Sequence, residues 1–236
     1  MVLVLLIFGV RGCLDSRKER AYKDYVRDVG ALVQESDQES RRLFGLLADP
    51  DVEDQDIENQ LNTFRNQSAQ LVDRARGTDH PDEMDRAHDY LVETLEFRRT
   101  GVSQIADQLP DAIASQAARR TGTEGIADSM QNFLTSDVLY QSRVKPNIES
   151  ALEEEDLEDE EDVPDSQSLP DIAWLQPSTV ADRVGPAKAC VRAGLRIGKL
   201  HDQRKLQRRQ GGHVEGLGAR EVGDRETDVV EHDSLQ

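Results

Sequence analysis

The sequence predicts an all-α protein: an antiparallel four-helix bundle, up-down-up-down, with an N-terminal apolar anchor and a disordered C-terminal tail. Three observations predict it. Met84, His88, Leu91, Leu95, Arg98, Val102, Ile105 and Leu109 recur at alternating spacings of four and three, the heptad seam of a long helix among near-parallel neighbours. Three other stretches carry the same rhythm and supply those neighbours. Composition agrees, since 36% hydrophobic, 32% charged and 4% aromatic residues make a narrow aliphatic core, better suited to helical stripes than to a sheet sandwich.

The chain divides into residues 1–14, an anchor or signal-like segment; 15–152, the bundle; 153–168, an acidic linker; 169–184, a short docking segment; and 185–236, a disordered or frame-shifted tail. Val2 to Val10 is the apolar run VLVLLIFGV, ended by Arg11. At 1.5 Å per residue it spans about 14 Å, roughly half a bilayer core. Three readings compete: a signal-peptide core, the remnant of a transmembrane helix with a late-assigned start, and a buried apolar strand. Cys13 after Gly12 resembles a lipoprotein cleavage site, but Arg11 stands where such sites keep a small uncharged residue. Arg11, Arg17, Lys18, Arg20 and Lys23 follow the run and would hold the body in the cytoplasm. A truncated start voids that count, and the body is expected to be extracytoplasmic, at the cell membrane.

Helix one is predicted from Asp15 or Ser16 to about Leu47, with Tyr22, Val26, Val29, Val33, Ser36, Ser40, Leu43 and Leu47 on its seam. Pro50 ends it, and Asp51 is placed to cap the next helix. Helix two carries Ile57, Leu61, Phe64, Ser68, Leu71 and Ala75 and stops at Gly77. Asp79 is a second capping candidate, with Pro81 in the first turn of helix three. Helix three reaches Leu109 before Pro110, and Asp111 to Ala118 resumes it beyond a kink. Thr121 to Gly125 is expected to break the chain. Helix four then carries Ile126, Met130, Phe133, Asp137, Tyr140 and Val144, is kinked or restarted by Pro146, and extends to Ile148 and Leu152. Connections this short make successive helices antiparallel.

Glu153 to Asp162 is acidic at nine of ten positions, a self-repelling run expected as a solvated linker. Beyond it Leu169, Ile172, Trp174 and Leu175 form an apolar docking cluster, for the bundle's own surface or for a partner. From Gly185 the text is rich in Gly, Arg, Gln and His without apolar order. It reads as a frame error, as native disorder or as a functional basic tail.

The net charge is −18, with 39 acidic and 19 basic residues in 1–184 against 8 and 10 in 185–236. The acidic body disfavours nucleic acid as a partner. Cys13 and Cys190 belong to no CxxC. His80, His88, His201, His213 and His232 never recur at the i, i+4 spacing of paired metal ligands. No metal site, cofactor or catalytic set is assigned.

Four polar residues stand out on the seams. Ser36, Arg98 and Asp137 fall at one height, with Ser40 a turn above. The expectation is a buried polar layer in which Arg98 pairs with Asp137 and fixes helix register. In the alternative, Arg98 snorkels to solvent and Val138 replaces Asp137 inside.

YKDYVRDVGALVQESDQESRRLFGLL, RGTDHPDEM, FLTSDVLYQSRVKPNIESAL and LPDIAWLQPSTVA resemble a group of uncharacterised actinobacterial membrane-anchored proteins, over about residues 10–184. The resemblance implies an N-terminal anchor, an extracytoplasmic helical region and then a β-sandwich-like domain, a pattern this chain leaves at Gly185. The expected role is a membrane-tethered, non-enzymatic helical interaction or stalk module, with another protein as a candidate partner. The alternative is an extracytoplasmic sensor-type bundle that binds a small ligand.

Overall fold

A computed structural model describes residues 2–49, 51–114 and 116–184, excluding the side chains of 2–15, 54 and 116. The tail expected over 185–236, Cys190, the implied sandwich and the side chains of the apolar run lie outside the described residues. Among the described residues the chain is all-helical, with no strand. In order come α1 (Val2–Ala48), α2 (Asp54–Arg76), α3 (Asp85–Ile113), α4 (Gln116–Leu139), α5 (Lys145–Glu153) and α6 (Pro177–Val184).

Every seam residue listed above for α1, α2 and α3 is buried. The heptad rhythm therefore identifies the inward faces. It understates the face of α1, which also buries Tyr25, Leu32, Asp37, Glu39, Phe44 and Leu46. A two-position seam serves one neighbour, whereas α1 meets α2, α6 and the chain that returns after α5.

Several helix ends differ from expectation, each for a local reason. Asp51 does not cap α2; its N–H is held by Asp49 Oδ1 at 2.8 Å, and Glu53 occupies the cap position without a side-chain bond. Asp79 likewise caps no helix, because a 3-10 turn over Asp82–Met84 with Pro81 at its cap leads into α3. Pro110 lies inside α3 near its C-terminal end. The break expected at Thr121–Gly125 does not occur, because α4 runs through it and the chain turns at Ala114 instead. Gly122 and Gly125 are contact residues there. A Cβ on Gly122 would lie 2.2 Å from the backbone nitrogen of Ala112, so these glycines let α4 press against α3. Pro146, which lacks an N–H, is accommodated by a π-helical turn over Tyr140–Val144 before α5.

The interior consists of two apolar clusters. One joins Val26, Val29 and Val33 of α1 to Leu71 and Val72 of α2, Leu91 and Leu95 of α3, and Tyr140, Val144 and Ile148. The other joins Leu43 and Leu47 of α1 to Ile57 and Leu61 of α2, Val102 and Ile105 of α3, and Met130 and Phe133 of α4. Between the two groups, along α1, α2, α3 and α4, lie buried polar residues: Ser36 and Asp37, Ser68, Arg98, and Ser136.

The acidic stretch 153–168 differs from the solvated linker expected of it. It turns back after α5 and runs along the helices, with Leu157, Val163, Ser166 and Ser168 buried. Basic side chains offset its charge: Lys18 pairs with Glu155 at 2.6 Å, Lys23 with Glu160, and Lys145 with Asp165 at 2.6 Å. Composition signalled repulsion within the run, but not the lysines that three other turns bring to it.

Candidate functional site: a buried arginine that binds the returning chain

Arg98 sits mid-way along α3 on its inward face, so its guanidinium is only 3% exposed. A charge there is tolerated only if each donor finds a partner. All five do. Nε donates to Ser136 Oγ at 3.2 Å, and Nη1 to Ser36 Oγ at 2.9 Å and Asp37 Oδ1 at 3.0 Å. Nη2 donates to Asp137 Oδ1 at 3.3 Å and Ser166 Oγ at 2.8 Å. One side chain thus ties α3 to α1, to α4 and to the segment that follows α5.

The two carboxylates receive more than the arginine. Asp37 Oδ1 accepts the Ser166 hydroxyl at 2.8 Å, and its Oδ2 accepts the backbone N–H of Gln167 at 3.3 Å. Asp137 Oδ1 accepts the Ser168 N–H and hydroxyl, each at 2.7 Å, and its Oδ2 accepts the Leu169 N–H at 2.9 Å. Burial pushes the Asp37 carboxyl above its ordinary range, while Arg98, Ser166 and the Gln167 N–H pull it back. Near the start of the returning segment, the strap (residues 163–184), the Tyr140 hydroxyl donates to the Pro164 carbonyl at 2.7 Å. Residues 161–169 have no regular structure of their own. Side chains of the helices therefore satisfy backbone groups that a helix or sheet would otherwise satisfy.

Of the residues singled out from sequence, Ser36, Arg98 and Asp137 are brought together. Ser40 is also buried, but makes no hydrogen bond to Arg98. Arg98 does not snorkel, and Val138 is 58% exposed rather than turned inward. Asp37, Ser136, Ser166 and Ser168 escaped the sequence reading. Asp37 follows a seam position and Ser136 precedes one, while both serines of the strap lie in a stretch without helical period. The SQS spacing that puts two hydroxyls on one side of an extended chain was the available signal.

The docking cluster divides. Leu169 and Trp174 are buried, Leu175 is half-buried beside them, and Ile172 is 69% exposed. The Trp174 ring lies 5.1 Å from that of Phe44, and the Arg183 guanidinium stacks 4.7 Å from its centre. The segment docks on the chain's own helices. Between α4 and the strap lies a groove of about 320 Å³, edged by Leu134, Val138, Gln141, Ser166, Gln167 and Ile172.

His80 and His88 stack with ring centres 3.9 Å apart, so they present faces to each other rather than nitrogens to a shared ion. Burial first, and then His80, lower the pKa of His88. Among the described residues no three His, Cys, Asp or Glu side chains converge as a metal site, and no helix is long and apolar enough to cross a membrane. Compared with protein-family models, curated proteins and solved structures, the chain matches none.

Proposed function

We propose that the chain is a membrane-tethered, non-enzymatic helical module, an up-down-up-down four-helix bundle that acts as a stalk or interaction body on the extracytoplasmic side. The observation that carries this reading is the continuity of α1. The apolar run Val2–Val10 and the inward-facing stretch Tyr22–Leu47 belong to one 47-residue helix. At 1.5 Å per residue that helix is about 70 Å long, and it would pass orientation at a tether directly to the bundle. Alternation of helix direction is supported by the two apolar clusters. Mid α1 and early α3 share one with late α2 and the π-helical turn, while late α1 and late α3 share the other with early α2 and mid α4.

The polar layer supports a mechanical role over ligand binding in the bundle interior. Every Arg98 donor is already engaged by the chain itself, and both carboxylates are engaged by strap N–H groups. A group so saturated has no capacity left for a substrate, and it defines the register of three elements. The groove beside α4 favours the second reading, a sensor-type bundle that takes a small ligand at its edge.

Fractionation with protease accessibility on intact cells tests the proposal. The chain is expected in the membrane fraction, cleavable from outside. Recovery in the soluble fraction, or protection in intact cells with cleavage only after lysis, overturns the tether or the orientation respectively.

A further inference from the structure

The turn between α2 and α3, Gly77 to Met84, closes one end of the first apolar cluster, in which Met84 is fully buried. His80 in that turn is held at both ring nitrogens: Nδ1 lies 3.1 Å from the Thr78 carbonyl oxygen, and Nε2 lies 3.1 Å from Asp85 Oδ1. Its face rests on that of His88 in α3, with the ring planes 13° apart. Tyr25 of α1 packs against both rings, its centre 5.9 Å from His80 and 6.0 Å from His88. His88 is only 7% exposed, and its Nδ1 has no hydrogen-bond partner. The hydroxyls of Tyr22 and Tyr25, buried on the same stretch of α1, have none either. A neutral imidazole can leave Nδ1 as a bare acceptor. An imidazolium must donate from both nitrogens, and at Nδ1 it would find no acceptor.

The charged groups around the pair do little to compensate a proton on His88. Asp85 already meets His80, and Asp89 is exposed. From α1 the pair faces the phenol of Tyr25. Lys18, two turns earlier, is held by Glu83 of the turn at 2.9 Å and by Glu155 at 2.6 Å. We propose that the His80–His88 stack is an acid-release latch: protonation of His88 frees the turn Gly77–Met84 from α1 while the second apolar cluster stays packed. The sign follows from burial, which together with His80 lowers the pKa of His88 below its ordinary 6.5. A base whose folded value lies below its unfolded one contributes stability that is complete above about 6.5 and is lost as pH falls. Tyr25 lies on the part of α1 that follows the apolar run, so release occurs at the end of the helices nearest the proposed tether. The inference goes beyond the stalk reading by giving the module a response to acid. Its test needs no membrane, so it fails or succeeds independently of the tether.

Hydrogen exchange of the purified full chain at about pH 7.5 and about pH 5.5, corrected for the pH dependence of intrinsic exchange, tests the latch. Protection over residues 77–90 is expected to fall several-fold at the lower pH. Protection around Leu43 to Leu47 and Ile126 to Phe133, in the second cluster, should hold, and Trp174 emission should not move. Equal loss in both clusters would mean global acid unfolding and overturns the proposal, as does unchanged protection over 77–90. His88→Phe keeps an aromatic face against His80 but cannot take a proton. It should match the parent at the higher pH and stay protected at the lower one; loosening there to the parent's extent overturns the latch. If His88→Phe is already loose at the higher pH, the parent itself decides by nuclear magnetic resonance. Titration of the His88 ring in step with the amide signals of 77–84 supports the latch, and titration that leaves those signals in place overturns it.

Discussion

Arg98 of α3 donates to Asp37 of α1 at 3.0 Å, with the two side chains 3% and 11% exposed. Buried pairs of this kind add little net stability over an apolar filling, but removing one partner strands the other charge. Arg98→Ala strands both Asp37 and Asp137 and is expected to cost about 3–5 kcal/mol in urea unfolding. A double-mutant cycle between Arg98 and Asp137 should show coupling well above the ~1 kcal/mol of exposed pairs. Additive effects would remove that pair from the layer.

Glu39 gives the fold a pH dependence with a definite sign. It is 5% exposed, one carboxylate oxygen has no partner, and burial raises its pKa from 4.5 to about 7. A carboxyl whose folded value lies above its unfolded one favours the folded state while protonated. That contribution is full below about 4.5 and is lost as pH rises through about 7. Glu39→Gln should therefore flatten stability between pH 5 and 8 relative to the parent, with a difference on the order of 3 kcal/mol at the alkaline end. Parallel pH profiles for the two chains would disprove the assignment.

Three glycine-to-alanine changes should differ in sign and size. A Cβ on Gly101 falls 2.5 Å from the fully buried Phe133 ring, and one on Gly122 falls 2.2 Å from backbone, whereas one on Gly45 meets nothing within 4 Å. Gly101→Ala is expected to cost about 1–3 kcal/mol and Gly122→Ala as much or more, because backbone yields less than a ring. Gly45→Ala, exposed in the last turn of α1, should stabilise by up to about 0.5 kcal/mol. Thermal melts of the three chains give the order directly.

Trp174 is the only tryptophan and is 2% exposed, so its fluorescence reports whether the strap is seated. Asp137→Ala leaves the Ser168 and Leu169 N–H groups without their acceptor, and each orphaned buried donor costs about 1–3 kcal/mol. Trp174 emission is expected to shift red in this variant at urea concentrations that leave helical circular dichroism intact. Coincident transitions would show that the strap and the helices unfold together.

The all-α class and the inward faces of α1, α2 and α3 were legible in the sequence, because burial against neighbouring helices imposes a spacing that survives as letters. Ser36, Arg98 and Asp137 were legible for the same reason, as polar residues interrupting an apolar period. Other features depended on tertiary structure. Gly122 and Gly125 have the composition of a break, yet they lie inside α4 because α3 approaches too closely for a side chain. Glu155 and Glu160 repel their neighbours in sequence, yet they are held by Lys18 and Lys23, more than a hundred residues earlier. Asp37 meets Arg98 from 61 positions away, and Ser166 and Gln167 return to the same carboxylate across 129 and 130 positions. Period and propensity are local, and so can be read along the chain. The pairing of a buried charge is decided by whichever distant groups the folded chain brings within 3 Å, and no spacing in the sequence encodes that meeting.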